Sequence, residues 1–142
     1  MLVNEMMTKD VITVSPDTSL KELGLIFNEK KISGAPVVDS YGNIVGVVTL
    51  TDLFKILHHI YICKGMGEGS TGVKLMEMRE KEKENSKVRD IMTKDVISIN
   101  DDQAIDDVMR LMFDKAIHTI PVTKEGKLIG VVGKRNLIYA CF

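Results

Sequence analysis

The sequence predicts an α+β fold, mixed in helix and strand, made of two strand-helix-strand-strand-helix units packed about a pseudo-twofold axis. Three observations predict it. The tetrapeptide MTKD stands at Met7–Asp10 and again at Met92–Asp95, and the match runs on without a gap until Pro36 falls on Pro121. A single deletion in the next turn, DSYGN against KEGK, then brings IVGVV onto LIGVV. Within each copy the apolar pattern alternates between short β-branched runs and helical faces in the same order, the signature of a duplicated supersecondary unit. Finally, 142 residues at 44% hydrophobic suffice for one compact core or two small ones in contact, whereas one unit buries too little surface to stand alone.

Each unit opens on a β-branched run, VITV from Val11 and VISI from Val96, expected as a strand. Ser19 with Glu22 three residues on has the form of a capping box, so a helix should begin there and bury Leu20, Leu23, Ile26 and Phe27 on one face. Ile105, Val108, Leu111 and Met112 repeat that face in the second unit. APVV and IVGVVT follow as buried strands, and the glycine-containing turn between them is short enough to require an antiparallel hairpin. A second helix is expected from Asp52, and a shorter one from Asn136. Repeat one thus covers 5–62 and repeat two 88–142. The stretch 63–87 is expected as a flexible glycine-rich loop, KGMGEGSTG, followed by a charged helical linker.

The totals exclude several function classes. Nineteen basic against twenty acidic residues, a formal net charge of -1, supply none of the bulk positive charge of a nucleic-acid binder, and 5% aromatic content offers few stacking platforms. No apolar run approaches the roughly 18 residues of a membrane span, and the N-terminus lacks a signal-peptide pattern, so a cytoplasmic location is expected. The two cysteines, Cys63 and Cys141, have no metal-binding spacing and are expected as reduced core thiols. His58 and His59 are adjacent and point about 100 degrees apart on a helix, which rules out a shared metal. GMGEGSTG lacks the Lys-Ser/Thr pair of a phosphate loop. No nucleophilic or acid-base constellation stands out, so no enzymatic activity and no metal are expected.

The chemistry concentrates where the repeats differ. GVVTLTDL in the first copy keeps a hydroxyl at Thr49 and a carboxylate at Asp52, whereas GVVGKRNL in the second has Gly133 and Asn136. A carboxylate in the first turn of a helix can accept from both hydroxyls of a ribose through charge-assisted bonds, and Thr49 could donate to a phosphate oxygen. On this octapeptide alone a structural role ranks higher, with Thr49 or Thr51 capping the helix and Asp52 complementing its dipole. The second copy carries Lys134 and Arg135 beside Asn136, and His118 where the first has Ser33.

The opening MTKDVITVSP, the APVVD and IPVT strands, and the Gly-apolar-apolar-Thr-x-x-Asp pattern of Gly46–Asp52, in the same order twice, resemble the CBS domain family. The resemblance implies a tandem CBS-domain pair, or Bateman module, with two clefts between the repeats that take AMP, ADP or ATP, S-adenosylmethionine or NAD ranking behind. It implies a regulatory module that needs no cofactor, commonly a homodimer, acting through an effector protein. By likeness to the first repeat pair of the AMP-activated protein kinase regulatory subunit, one composite site is expected. Asp52 and Thr49 would hold the ribose, and Val11, Thr13, Gly34, Ala35 and Pro36 would wall the adenine. His118 and Arg135 would reach the phosphate from repeat two. The mate, with Asn136, Gly133 and Val96, is expected to be degenerate. Two rival readings are a dimerisation scaffold with vestigial sites and a nucleic-acid-binding module using Lys134 and Arg135. The apolar helix LFKILHHIYI is the expected dimer surface.

Overall fold

A computed structural model describes residues 1–63 and 85–142, side chains included except over 59–63. Most of the expected loop and linker at 63–87 lies outside the described residues. Repeat one contains α1 (Val3–Met6), α2 (Leu20–Lys30), β1 (Gly34–Val38), β2 (Ile44–Thr49) and α3 (Leu50–Cys63). Repeat two contains α4 (Val88–Ile91), β3 (Ile99–Asn100), α5 (Ile105–Lys115), β4 (Thr119–Lys124), β5 (Lys127–Gly133) and α6 (Lys134–Cys141).

Both hairpins form as their short turns require. β1 pairs antiparallel with β2 from Gly34↔Thr49, and β4 with β5 from Thr119↔Gly133. Each carries a register shift at the matching place, Val37/Val38 and Val122/Thr123. α2 and α5 cover these hairpins with the predicted faces, burying Leu20, Leu23 and Phe27 in one unit and Val108 and Met112 in the other. Ser19 Oγ accepts from the Glu22 N–H at 3.1 Å, the first half of the predicted cap. Met109 is left 44% exposed.

Three expectations change. The opening strands shrink to β3, parallel to β4, and to a single bridge, Val14↔Val37. Just before them the Val11 and Val96 N–H groups turn back onto the Lys9 and Lys94 carbonyls at 3.0 Å, so the chain is curled rather than extended there. α3 and α6 begin two residues earlier than predicted, at Leu50 and Lys134, because the extended-to-helical change falls at Thr49 and Gly133. Cys141 is an exposed free thiol rather than a core one, since the last turn of α6 points it outward; the Cys63 side chain lies outside the described residues.

The pairing of the repeats is an exchange. Val3 of α1 belongs to the core of repeat two, among Ile99, Val108, Ile120 and Val132, while Val88 of α4 belongs to the core of repeat one, among Leu23, Phe27, Val37 and Val48. Both valines are fully buried. Backbone bonds fix the crossing. Thr8 and Val131 exchange N–H···O=C bonds at 2.9 and 3.0 Å, and Thr93 and Val47 do the same at 2.9 and 3.0 Å. The two glycines of the GVV motifs make room for it. A Cβ on Gly46 would lie 2.7 Å from Met92 Sδ and 3.0 Å from the Thr93 carbonyl, and one on Gly130 2.5 Å from Met7 Sδ. MTKD and GVV are therefore complementary halves of one contact, made twice across the pseudo-twofold axis.

Candidate functional site

Because Thr93 pairs with Val47 near the end of β2, the residues that follow it run beside the β2–α3 junction. They form one wall of a cavity of about 510 Å³, with Thr49 to Asp52 forming the opposite wall. Thr93, Asp95, Val96 and Ile97 supply the opening segment of repeat two, ahead of β3, and Ala116–Thr119, entering β4, close the end. The symmetric pairing of Thr8 with Val131 builds a second cavity of about 580 Å³ at the β5–α6 junction, lined by Gly133 to Asn136, Thr8, Lys31 to Gly34 and Tyr139. Ser33, His118 and Thr119 line both, so the clefts are neighbours divided by one thin wall.

In the first cleft the cap and the candidate ligand grip coexist. Asp52 Oδ2 accepts from the Thr49 N–H at 2.8 Å and from Thr49 Oγ1 at 3.2 Å, while Thr49 Oγ1 accepts from the Asp52 N–H at 3.4 Å. The box orients the carboxylate and leaves Oδ1 without a partner among the described residues. It also commits the Thr49 hydroxyl proton to Asp52, which removes the expected donation of that proton to phosphate. Asp52 is half-buried and lines the cleft.

The second cleft uses the same position differently. Asn136 Oδ1 accepts from the Gly133 N–H at 2.8 Å, and Asn136 Nδ2 donates to the Met6 carbonyl at 2.7 Å and to Thr8 Oγ1 at 3.2 Å. Gly133 has no side chain to complete a box. A carboxylate could not donate to the Met6 carbonyl, which is why an amide suits this copy. Asn136 ties α6 to the exchanged N-terminal segment rather than offering a hydrogen bond to a ribose.

The structure brings Asp52, Thr49 and His118 together as the composite reading requires, but it distributes the remaining candidates otherwise. Val96, assigned to the degenerate site, lines the Asp52 cleft. Arg135, assigned to the phosphate over Asp52, lines the second cleft with Asn136, Gly133 and Gly34. Ala35 and Pro36 are fully buried core residues. Val11 lines neither cleft, and Thr13 opens onto a separate hollow beside Asp17, Asp39 and Arg89. The cause is the exchange: each β-α junction faces the opening segment of the opposite repeat, so the wall beside Asp52 comes from Thr93–Ile97. Sequence reasoning missed Thr93, Asp95, Ile97 and Ile117 because it kept each repeat's strands with its own carboxylate. No element among the described residues is a helix long and apolar enough to cross a membrane.

Two exchanged repeats enclosing paired clefts, one with an oriented acidic group, define a tandem-repeat module. The model of the CBS domain matches residues 3–59 and 88–142, and the chain belongs to the CBS domain family. It is 33% identical over 153 residues to an uncharacterized protein of Methanocaldococcus jannaschii, covering 99% of this chain and 90% of that one. It is also 32% identical over 136 residues to the inosine-5'-monophosphate dehydrogenase of the same organism, of which it spans only 22%. Among solved structures it is similar to the CBS domain pair of protein MJ0100 in complex with 5'-methylthioadenosine and S-adenosyl-L-methionine, at a TM-score of 0.77, 24% identity and coverage of 99% and 95% of the two chains. It is similar also to CBSX2, a protein of Arabidopsis thaliana, in complex with AMP, at a TM-score of 0.74, 27% identity and coverage of 99% and 95%.

Proposed function

We propose that the chain is a regulatory sensor of an adenosine compound, with no chemistry of its own, and that the ligand's ribose is held by Asp52. The observation that carries this reading is the capping box, which aims the Asp52 carboxylate and keeps one oxygen free at a cavity of about 510 Å³, a volume within the usual range for a small-molecule site. Adenine would lie between Val96, Ile97 and Ile117, apolar side chains with backbone groups beside them. His118 is the one group in this lining able to carry positive charge, against the carboxylates Asp52 and Asp95. That balance favours AMP over ADP and ATP. Asp95 also favours a second reading, an adenosine compound whose 5' group is neutral or cationic. The AMP complex of CBSX2 supports the first, and the methylthioadenosine and S-adenosylmethionine complex of the MJ0100 pair supports the class.

Output would pass through the exposed apolar stripe of α3. Leu50, Phe54 and Leu57 follow one another at helical spacing and are 48%, 66% and 37% exposed, and Leu50 also lines the Asp52 cleft. A homodimer or an effector protein seated on that stripe would sense the ligand through Leu50, and the ligand could shift the assembly only by its difference in affinity for the two states.

Calorimetry with AMP, ATP, adenosine and S-adenosylmethionine tests the reading. One of the four should bind, and Asp52→Ala should weaken it by about tenfold to a hundredfold, the worth of roughly 1.5–3 kcal/mol for a hydrogen bond to a charged group. Unchanged affinity in that variant, or no binding of any of the four, favours the scaffold alternative.

A further inference from the structure

We propose that Met7 and Met92 are modification sites, a pair of thioethers whose oxidation to sulfoxides by a peroxide loosens the contact between the two repeats. They occupy matching places in the duplication, each one residue before an exchanged threonine. Each sulfur lies where a side chain on the facing glycine would stand: a Cβ on Gly46 would come 2.7 Å from Met92 Sδ, and one on Gly130 2.5 Å from Met7 Sδ. Met7 packs on the core of repeat two and Met92 on the core of repeat one, so both cross between the halves. Neither is sealed off. Both are half-buried and each is followed by an exposed residue, Thr8 or Thr93, so a small oxidant reaches them more readily than Met112, which is 6% exposed.

The step is a two-electron oxygen transfer. A sulfur lone pair attacks one oxygen of hydrogen peroxide and the O–O bond breaks; the proton of the transferred oxygen passes to the departing hydroxide, leaving a sulfoxide and water. The product is polar where the thioether was apolar, and the backbone donors of the contact are already engaged. Thr8 and Val131 bond each other's carbonyls, as do Thr93 and Val47, and the Met7 and Met92 N–H groups donate to the Val3 and Val88 carbonyls. A sulfoxide oxygen held against the glycine therefore lacks a backbone partner, which is costly. Turning it to water draws the sulfur off Gly46 or Gly130. Because Thr93 lines the Asp52 cleft and Thr8 the second one, each contact shapes one cleft. A consequence for an adenosine ligand would rest on the sensor reading, whereas the modification itself does not.

Treating the full chain with millimolar hydrogen peroxide, and following it by peptide mass spectrometry, thermal unfolding and amide hydrogen exchange, tests the proposal. Met7 and Met92 should each gain one oxygen, and the melting temperature should fall by about 5 °C, the scale of an unpaired polar group in a chain of this size. The Thr8, Val131, Thr93 and Val47 N–H groups should exchange about tenfold faster. The double variant Met7→Leu/Met92→Leu, close in volume, keeps both cysteines and every other methionine, and should show neither change. Each single variant should preserve protection at its own contact and lose it at the other, so the result does not depend on the double variant folding. Methionine sulfoxide reductase with a dithiol, which is oxidised to a disulfide as the oxygen leaves as water, should restore both readings. The proposal is overturned if peroxide oxidises the exposed Met109 but neither Met7 nor Met92, if their oxidation leaves melting and exchange as before, or if the double variant loses as much stability as the parent. A melting temperature that stays depressed after the reductase has removed both sulfoxides would overturn it too.

Discussion

The two clefts have the same walls and opposite chemistry. Each is framed by a β-α junction from one repeat and the exchanged opening segment of the other, and the frame is held by matching backbone bonds, Thr93 to Val47 and Thr8 to Val131. At one position the first cleft has Asp52, oriented by Thr49 with an oxygen free, and the second has Asn136, bonded at both its oxygen and its nitrogen. A duplicated fold therefore keeps the contacts that pair its halves at both ends. It lets the exposed side chains at the rims diverge, Leu50 against Lys134 and Thr51 against Arg135, because exposed positions cost little stability when changed.

The largest expected effect comes from breaking the frame. Val3→Ala and Val88→Ala each remove two methyl-sized groups from a fully packed site, and each should lower the unfolding free energy by about 2–3 kcal/mol, from lost burial plus the cavity left behind. Urea unfolding measures this. The exchange also predicts which cleft suffers: Val3→Ala should loosen the cleft beside Thr8 and Asn136, and Val88→Ala the one beside Thr93 and Asp52. If either valine costs less than about 0.5 kcal/mol, the range of a surface substitution, the exchanged helices do not hold the repeats together.

A smaller effect sharpens the contrast at the shared position. Asn136→Asp would set a carboxylate against the Met6 carbonyl in place of the 2.7 Å donation, and should cost about 1–3 kcal/mol for an acceptor left unpaired. The mirror change, Asp52→Asn, keeps an oxygen for the Thr49 N–H and loses only the charge at the helix start, about 0.3–1 kcal/mol. Thermal unfolding of the pair should rank them in that order. Equal costs would mean that Asn136 is a cap like its counterpart and not a tie between the repeats.

The repeat, both hairpins and the buried faces of α2 and α5 were legible because they depend on local pattern: Leu20, Leu23 and Phe27 announce their face by spacing alone. The identity of Asp52 and Thr49 as a pair was legible for the same reason, three residues apart at a junction. What the sequence could not reveal was which opening segment faces which carboxylate. That depends on Met92 lying over Gly46 and Met7 over Gly130, contacts that either an intra-repeat or an exchanged arrangement could satisfy on paper. The curled backbone at Val11 and Val96 was hidden too, since VITV and VISI are strand-formers throughout, and that only their last residues, Val14 and Ile99, find a partner is a tertiary fact. Asn136 read as a weakened Asp52 because its second partner, Met6, lies 130 residues away.

The smallest effect concerns the turns, where the repeats differ by one residue. In repeat one, Asp39 Oδ1 accepts from the Tyr41 and Asn43 N–H groups, both at 2.9 Å, while repeat two closes its shorter turn with Glu125 and Gly126 at positive φ and no such carboxylate. The bond from the Asn43 N–H, the largest influence, with that from Tyr41, holds the Asp39 carboxyl below its ordinary value of 3.8 despite the opposing cost of partial desolvation. A lowered pKa in the folded chain means that the contribution is complete above the unfolded value and is lost as pH falls through the folded one. The Asn43 amide resonance should therefore titrate with a midpoint below 3.8, and Asp39→Asn should remove that titration while the repeat-two turn stays unaffected. A midpoint at or above the ordinary value would show that the carboxylate does not brace the turn, and that the two hairpins are held by their strands alone.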